Sequence, residues 1–519
     1  MENPQEQIRQ QAQDGTDAAA EQRPLFPTGK KELIFGAATL VSGLALCNFV
    51  LFGGFHLGFA LAVVACILSA GLYLLAAGCK PTVYSGALLI ISIGIALGFA
   101  RTDDGFVKFI MVLFLLVGVN LGLCLTAGQN LRNPGTVGSL LDAPRTAFRF
   151  GFGRSPRAFR GLAQAFRKSG SAGQKGGALL LGLCLCIPVL AVVIPLLISA
   201  DAAFDGLIAL LPEFDLGELF ATVLFGAALW CVLYVRGVAL RHSPKEEPKK
   251  RAAKGMSAIT VNTVLGAVCL VYVAYLISQL AYFVGGFAGI LPQEYTMAEY
   301  ARRGFFEMAW LCVVNLGLIV LSLGLVRKEK TAPVSTRLLC MFIGLVTLFL
   351  VAAASAKMFL YIDAYGLTRL RVLTQIIMLF FGLTTLVVML WLFLPKLPYM
   401  KAVVLLALLI GGATFWMDVD TQVARYNVEA YLSGALQTVD VEHLYELGDG
   451  AVAYLVRLAE EAPDSHVALE AQKWAQRRKC QPCKDFRQWN YAKYSAEQYL
   501  PFEVSTENTL ERQEKGGLL

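Results

Sequence analysis

Charge is what this chain has least of. Only 16% of its 519 residues are Asp, Glu, Lys or Arg, where soluble domains carry about 25%. A soluble domain of this length needs far more charged surface, so the deficit excludes an ordinary one. Histidine is also scarce: His56, His242, His443 and His466 are scattered, without the His-x-x-x-His spacing of a zinc or haem site. There is no phosphate-binding glycine loop, no nucleophile beside a base and no cluster of metal-ligating side chains. The expectation is therefore no catalytic residue, no metal and no cofactor. The 48 glycines lie mostly inside apolar runs, where small residues let helices approach.

What the chain has instead is apolar sequence. Hydrophobic residues make up 56% and the mean hydropathy is +0.58. The apolar stretches fall at roughly 33–54, 57–78, 84–100, 108–127, 177–199, 217–239, 258–288, 305–325, 338–360, 372–394 and 402–418. A run near 20 residues spans the hydrocarbon core as a helix, since only a helix satisfies its own backbone groups without water. The predicted fold class is all-α: a polytopic transmembrane helix bundle of about eleven spans with a small helical C-terminal extramembrane segment. The first span is not read as a signal peptide, because its polar leader is long and another span follows at once.

Loops on the side of the N-terminus hold 27 of the 45 Lys and Arg, the opposite short loops hold 7, and 11 lie beyond residue 419. By the positive-inside rule the N-terminus is cytoplasmic, and an odd number of spans puts the C-terminus outside the cytoplasm. The acidic loop Asp201–Asp215, without Lys or Arg, agrees with that count. The net charge of +7 follows from this asymmetry and gives no reason to propose nucleic acid as a partner.

The organisation that follows is a disordered cytoplasmic N-terminus (1–30), a first four-helix transmembrane group (31–127), a basic aromatic cytoplasmic loop (128–176), a seven-helix transmembrane group (177–419) and a small helical extracytoplasmic segment with a disordered tail (420–519). The basic loop interleaves Arg145, Arg149 and Arg154 with Phe148, Phe150 and Phe152. Ser155 and Pro156 then open a short helix with Phe159, Leu162 and Phe166 on one face. Such a helix suits the headgroup region, so the bilayer and its anionic lipid headgroups are the expected partners of residues 128–175. Beyond residue 420 the charge is acidic, with Val452, Leu455, Val456 and Leu458 on one helix and Val467, Ala471 and Trp474 on the next, which starts at Asp464.

The densest polar grouping lies in the expected outer loops. Glu299, Arg303 and Glu307 recur every four residues and stack on one helix face, with Arg302 beside them. Lys357 falls inside the end of a span, where an ionisable group needs a partner or water, and Glu307 and Asp363 are the candidates. Arg369 and Arg371 complete the group. Either these charges lock neighbouring spans together or they line a ligand or ion pocket for an unknown ligand or protein partner. Asn120, Asn262, Asn315, Gln279 and Gln375 read as hydrogen-bonding groups between helices. Ten of the twelve cysteines lie in or beside spans, where Cys acts as a small hydrophobe. The remaining two, Cys480 and Cys483, form a single C-x-x-C. Outside the cytoplasm a local disulfide fits them; a zinc half-site would need two more ligands and a redox role a preceding strand.

The stretch Glu299-Tyr300-Ala301-Arg302-Arg303-Gly304-Phe305-Phe306-Glu307 resembles a signature of a bacterial multi-pass membrane family, domain of unknown function 4173, with the related 4153 group. Tyr365-Gly366-Leu367-Thr368, with Arg369 and Arg371, is similar to its second signature. Ala424-Arg425-Tyr426-Asn427-Val428, followed by Tyr431 and residues 444–458, is similar to its third. The likeness covers approximately residues 180–495. It implies a bacterial plasma-membrane protein and supplies no reaction or ligand. The expectation is a non-enzymatic integral membrane protein that senses, scaffolds or binds at its outer face. A secondary transporter is the alternative and a membrane-embedded enzyme the third.

Overall fold

The computed structural model describes residues 30–129, 193, 216–242, 255–287, 305–326, 333–477 and 485–499. Every regular element among them is helical. Nine described helices are long and apolar enough to cross a membrane. The expected span at 84–100 is a shorter apolar helix, Val83–Gly98, and the one at 177–199 lies outside the described residues. The chain divides into two compact units.

The first unit takes in Met1–Ala96, Val117–Asn130 and Leu141–Glu246. Its helices are α1 (Lys30–Asn48), continued by a π-helical turn Phe49–Gly53, then α2 (Leu57–Ala76), most of α3 (Val83–Gly98), the second half of α4 (Gly105–Thr126) and α5 (Leu216–His242). Helix α1 packs closely on α5: a Cβ on Gly43 would stand 3.3 Å from the backbone of Trp230. Phe35, Tyr73, Leu74, Leu123, Val238 and Leu240 form the core, with the Phe35 and Tyr73 rings stacked at 4.2 Å. Several polar side chains find partners on neighbouring helices, as lipid favours. The Asn48 amide donates to Glu218 at 2.8 Å, the Trp230 indole N–H donates to the Gly36 carbonyl at 2.9 Å, and the Arg236 guanidinium donates to Asn120.

The second unit takes in Leu97–Leu116, Leu131–Leu140 and Glu247–Leu519. Its membrane helices are α6 (Ala258–Phe287), α7 (Phe305–Leu325), α8 (Val334–Tyr365), α9 (Arg369–Phe393) and α10 (Tyr399–Met417), with the first half of α4. Helix α8 has 32 residues, about 48 Å at 1.5 Å per residue. That exceeds a hydrocarbon core of about 30 Å, so α8 tilts or projects beyond it.

A buried triad ties the middles of three of these helices. The Tyr272 hydroxyl donates to the Asn315 side-chain oxygen at 2.5 Å, and the Asn315 amide donates to the Thr347 hydroxyl at 3.0 Å. Nearer one end, Asn262 donates to Ser335 at 2.8 Å and accepts from Thr336 at 2.7 Å. The Gln375 amide donates to the Ser355 carbonyl at 3.0 Å. These asparagines and Gln375 therefore act between helices; the Gln279 side chain lies outside the described set. Exposed Leu270, Trp310, Leu338 and Phe393 present apolar surface outward.

After α10 come the C-terminal helices α11 (Val419–Leu432), α12 (Val441–Glu446), α13 (Val452–Glu461), α14 (Ser465–Arg477) and α15 (Tyr491–Glu497). Asp440 and Asn490 cap the starts of α12 and α15 by accepting backbone N–H bonds. Val423, Val428, Leu444, Leu455, Leu458 and Ala471 are buried together, and Leu367 and Val372 pack against them. The small C-terminal core is thus completed by the junction between α8 and α9, as its size demands.

Replacing Asn315 with Leu removes two interhelical hydrogen bonds. It should cost about 1 kcal/mol of stability in the membrane-embedded state, read from reversible denaturation in detergent micelles. An unchanged midpoint would show that the triad adds nothing to helix association.

Candidate functional site

Of the residues singled out in the sequence, Glu299, Arg302, Arg303, Cys480 and Cys483 lie outside the described set, as do residues 130–175 of the basic loop. Glu307 is exposed in the first turn of α7, Lys357 is half-buried on α8 and Asp363 is exposed near its end. Among the described ion pairs, none joins Lys357 to Glu307 or Asp363. Arg371 works on the backbone: it donates to the carbonyls of Tyr365, at 3.0 Å, and Gly366, and lies 4.1 Å from the Tyr361 ring centre. It thereby satisfies the open C-terminal end of α8.

Arg369 has the larger role. Its Nη1 stands 2.8 Å from Asp104 Oδ2 and its Nε stands 2.6 Å from Asp420 Oδ1. One guanidinium thus joins the segment before α4, the first turn of α9 and the first turn of α11. The two carboxylate side chains are only 12% and 9% exposed, against 31% for Arg369, so the pairs are sheltered enough to matter. Local sequence explains the placement. Asp104 also caps α4, accepting from the Val107 N–H at 2.6 Å. Asp418 sits between α10 and α11 with φ +49°, the one non-glycine residue at positive φ among those described. Its Oδ2 accepts from the Thr421 hydroxyl at 2.7 Å; Asx side chains tolerate this conformation by such local bonds.

A second clamp lies beside the first. Asn427 accepts from the Leu367 N–H at 2.6 Å and donates to the Leu367 carbonyl at 2.7 Å. This approach requires Gly366, whose φ is +74° and on which a Cβ would stand 2.7 Å from Asn427 Oδ1. The Tyr365–Thr368 and Ala424–Val428 motifs are therefore two sides of one contact.

Around Arg369 opens a cavity of about 250 Å³, lined among others by Asp103, Asp104, Asp418, Asp420 and Asp449. Asp103 is held by Lys108 at 3.0 Å and Lys493 at 3.7 Å. Burial pushes the Asp418 carboxyl above the ordinary 3.8, against the opposing Thr421 hydrogen bonds and the Arg101 charge. Burial likewise raises Asp420, helped by the neighbouring Asp104 and Asp418 and opposed by Arg369. The arrangement can accept hydrogen bonds and balance positive charge. Among the described residues, no three His, Cys, Asp or Glu side chains form a metal-ligating group.

A family model matches residues 89–458, with the description "Domain of unknown function (DUF4153)". The chain belongs to the DUF4153 family. The 4153 group is thus the part of the sequence resemblance that is matched. The DUF4153 region begins within α3 and ends within α13, so it holds Asp104, Gly366, Arg369, Asp420 and Asn427, and leaves out α14 and α15. The comparisons with curated proteins and with solved structures found no match.

Sequence reasoning reached Arg369 but not its partners. Asp104 could have been seen as an N-cap ahead of α4, and Asp418 and Asp420 as charges at the end of a span; nothing in spacing says that the two loops meet.

Two outcomes follow from the geometry. A double-mutant cycle between Arg369→Gln and Asp420→Asn should give a coupling energy of about 1–3 kcal/mol, measured as unfolding free energy in detergent; simple additivity would contradict the pair. The second concerns pH. A carboxyl with a raised folded value binds its proton more readily folded than unfolded, so its contribution is present at low pH and lost as pH rises through that value. The melting temperature of the native protein relative to Asp418→Asn should therefore move in the native protein's favour as pH falls from neutral towards the ordinary carboxylate range. A shift the other way would contradict the burial-driven sign.

Proposed function

We propose that this DUF4153 protein is a non-enzymatic integral membrane protein of the bacterial plasma membrane that binds a ligand or partner at its outer face, for sensing or scaffolding. The N-terminus is cytoplasmic and the C-terminal helices lie outside, as the bias of Lys and Arg among the loops favours. On the cytoplasmic side, residues 128–175 meet anionic lipid headgroups. The single observation that carries the reading is the Arg369 bridge beside the acidic cavity. A small cation or hydrogen-bond donor entering there competes for the carboxylates that hold α11, so occupancy is coupled to how firmly the C-terminal helices dock.

A secondary transporter is the second reading, favoured by the polar triad Tyr272, Asn315 and Thr347 in the middle of the membrane helices. Against it, those groups use their hydrogen bonds on one another, whereas the acidic cavity lies at the helix ends.

Reporter fusions after Lys254, Lys330 and Leu519 test the polarity; cytoplasmic signal from the first two and extracytoplasmic signal from the last are expected. Titrating the purified protein with small amines and divalent cations should raise its melting temperature in the native chain and not in Asp420→Asn, which removes one of the carboxylates. Equal shifts in both, or none in either, would sink the binding reading, and a cytoplasmic C-terminus would sink the polarity.

A further inference from the structure

We propose that residues 485–499 form an anchor in the bilayer interface, with their aromatic side chains among the lipid headgroups and carbonyls. Five aromatic residues fall within this short stretch. Phe486 is 61% exposed, Tyr491 46%, Tyr494 47% and Tyr499 42%, and the half-buried Trp489 ring lies 6.3 Å from that of Tyr494. On a surface facing only water, so many exposed aromatics close together would be a liability.

Their height relative to the membrane is fixed by tethers. The Asn490 amide donates to the Thr102 carbonyl at 2.7 Å and the Tyr491 N–H donates to the Ala100 carbonyl at 2.8 Å. The Arg101 guanidinium lies 5.2 Å from the Tyr491 ring centre, and Lys493 stands 3.7 Å from Asp103. All four contacts are with the segment that leads directly into α4. Two residues past Asp104, α4 begins an exposed apolar stripe, Phe106, Phe109, Leu113 and Leu116, spaced by three and four so that it occupies one face. The tethered residues, Ala100 to Asp103, precede Phe106, where this lipid-facing stripe starts, by only three to six positions. Tyr and Trp are favoured at that depth, where an apolar ring and a polar tip are both satisfied. The occupant is therefore lipid, continuous with the surface that α4 already presents to it. This inference is independent of the acidic cavity and of which leaflet the C-terminal helices face.

The test is lipid photo-crosslinking of the full chain in nanodiscs of phosphatidylethanolamine and phosphatidylglycerol. p-Benzoylphenylalanine replaces Phe486, Tyr494 or, as the reference for lipid contact and folding, Phe109. Mass spectrometry should find lipid adducts at 486 and 494 in yields comparable to that at 109. Lipid adducts at 109 with none at 486 and 494 would overturn the proposal, and so would adducts at 486 and 494 to a second copy of the chain in place of lipid.

Discussion

Arg369 begins α9 and places one N–H on Asp104 and another on Asp420, and the C-terminal part of the second unit is organised around that geometry. A planar guanidinium offers donors in fixed directions, which suits holding two carboxylates from different segments at once. The carboxylates are nearly buried, so removing the arginine leaves two negative charges in a poorly solvated place. That loss exceeds the net value of the intact pairs. The second clamp, between Asn427 and Leu367, adds neutral hydrogen bonds whose geometry depends on Gly366 having no side chain.

Below this layer the constraint is different. Helices in hydrocarbon must satisfy their polar groups internally, and little hydrophobic force draws them together once inserted. The buried Tyr272, Asn315 and Thr347 chain and the Asn262 cluster supply direction where apolar packing alone does not. The transition from neutral hydrogen-bonded triads within the helices to charged pairs at their ends follows the cost of charge in lipid.

The same physics decides what could be read from the sequence. Apolar runs are long and local, so nine of the expected span positions were legible; α7 occupies the expected 305–325. The buried stripe of α13, Val452, Leu455, Val456 and Leu458, was legible from helical spacing. The partners of Arg369 were not, because Asp420 lies 51 residues away and Asp104 is further still. Closeness in the predicted loop order made Glu307 and Asp363 the natural partners for Lys357. In the structure both carboxylates are exposed, and the carboxylates that pair with Arg369 are Asp104 and Asp420. The motifs at Tyr365–Arg371 and Ala424–Val428 marked the right places without revealing that they touch.

The central claim is that Arg369 holds the C-terminal helices in place and lets the acidic cavity report its occupancy through them. Hydrogen-exchange mass spectrometry on the full chain and on Arg369→Gln tests it most directly. Exchange should rise across α11 and α13 in the variant while α6, α7 and most of α8 stay protected. Unchanged protection of α11 and α13 would contradict the account.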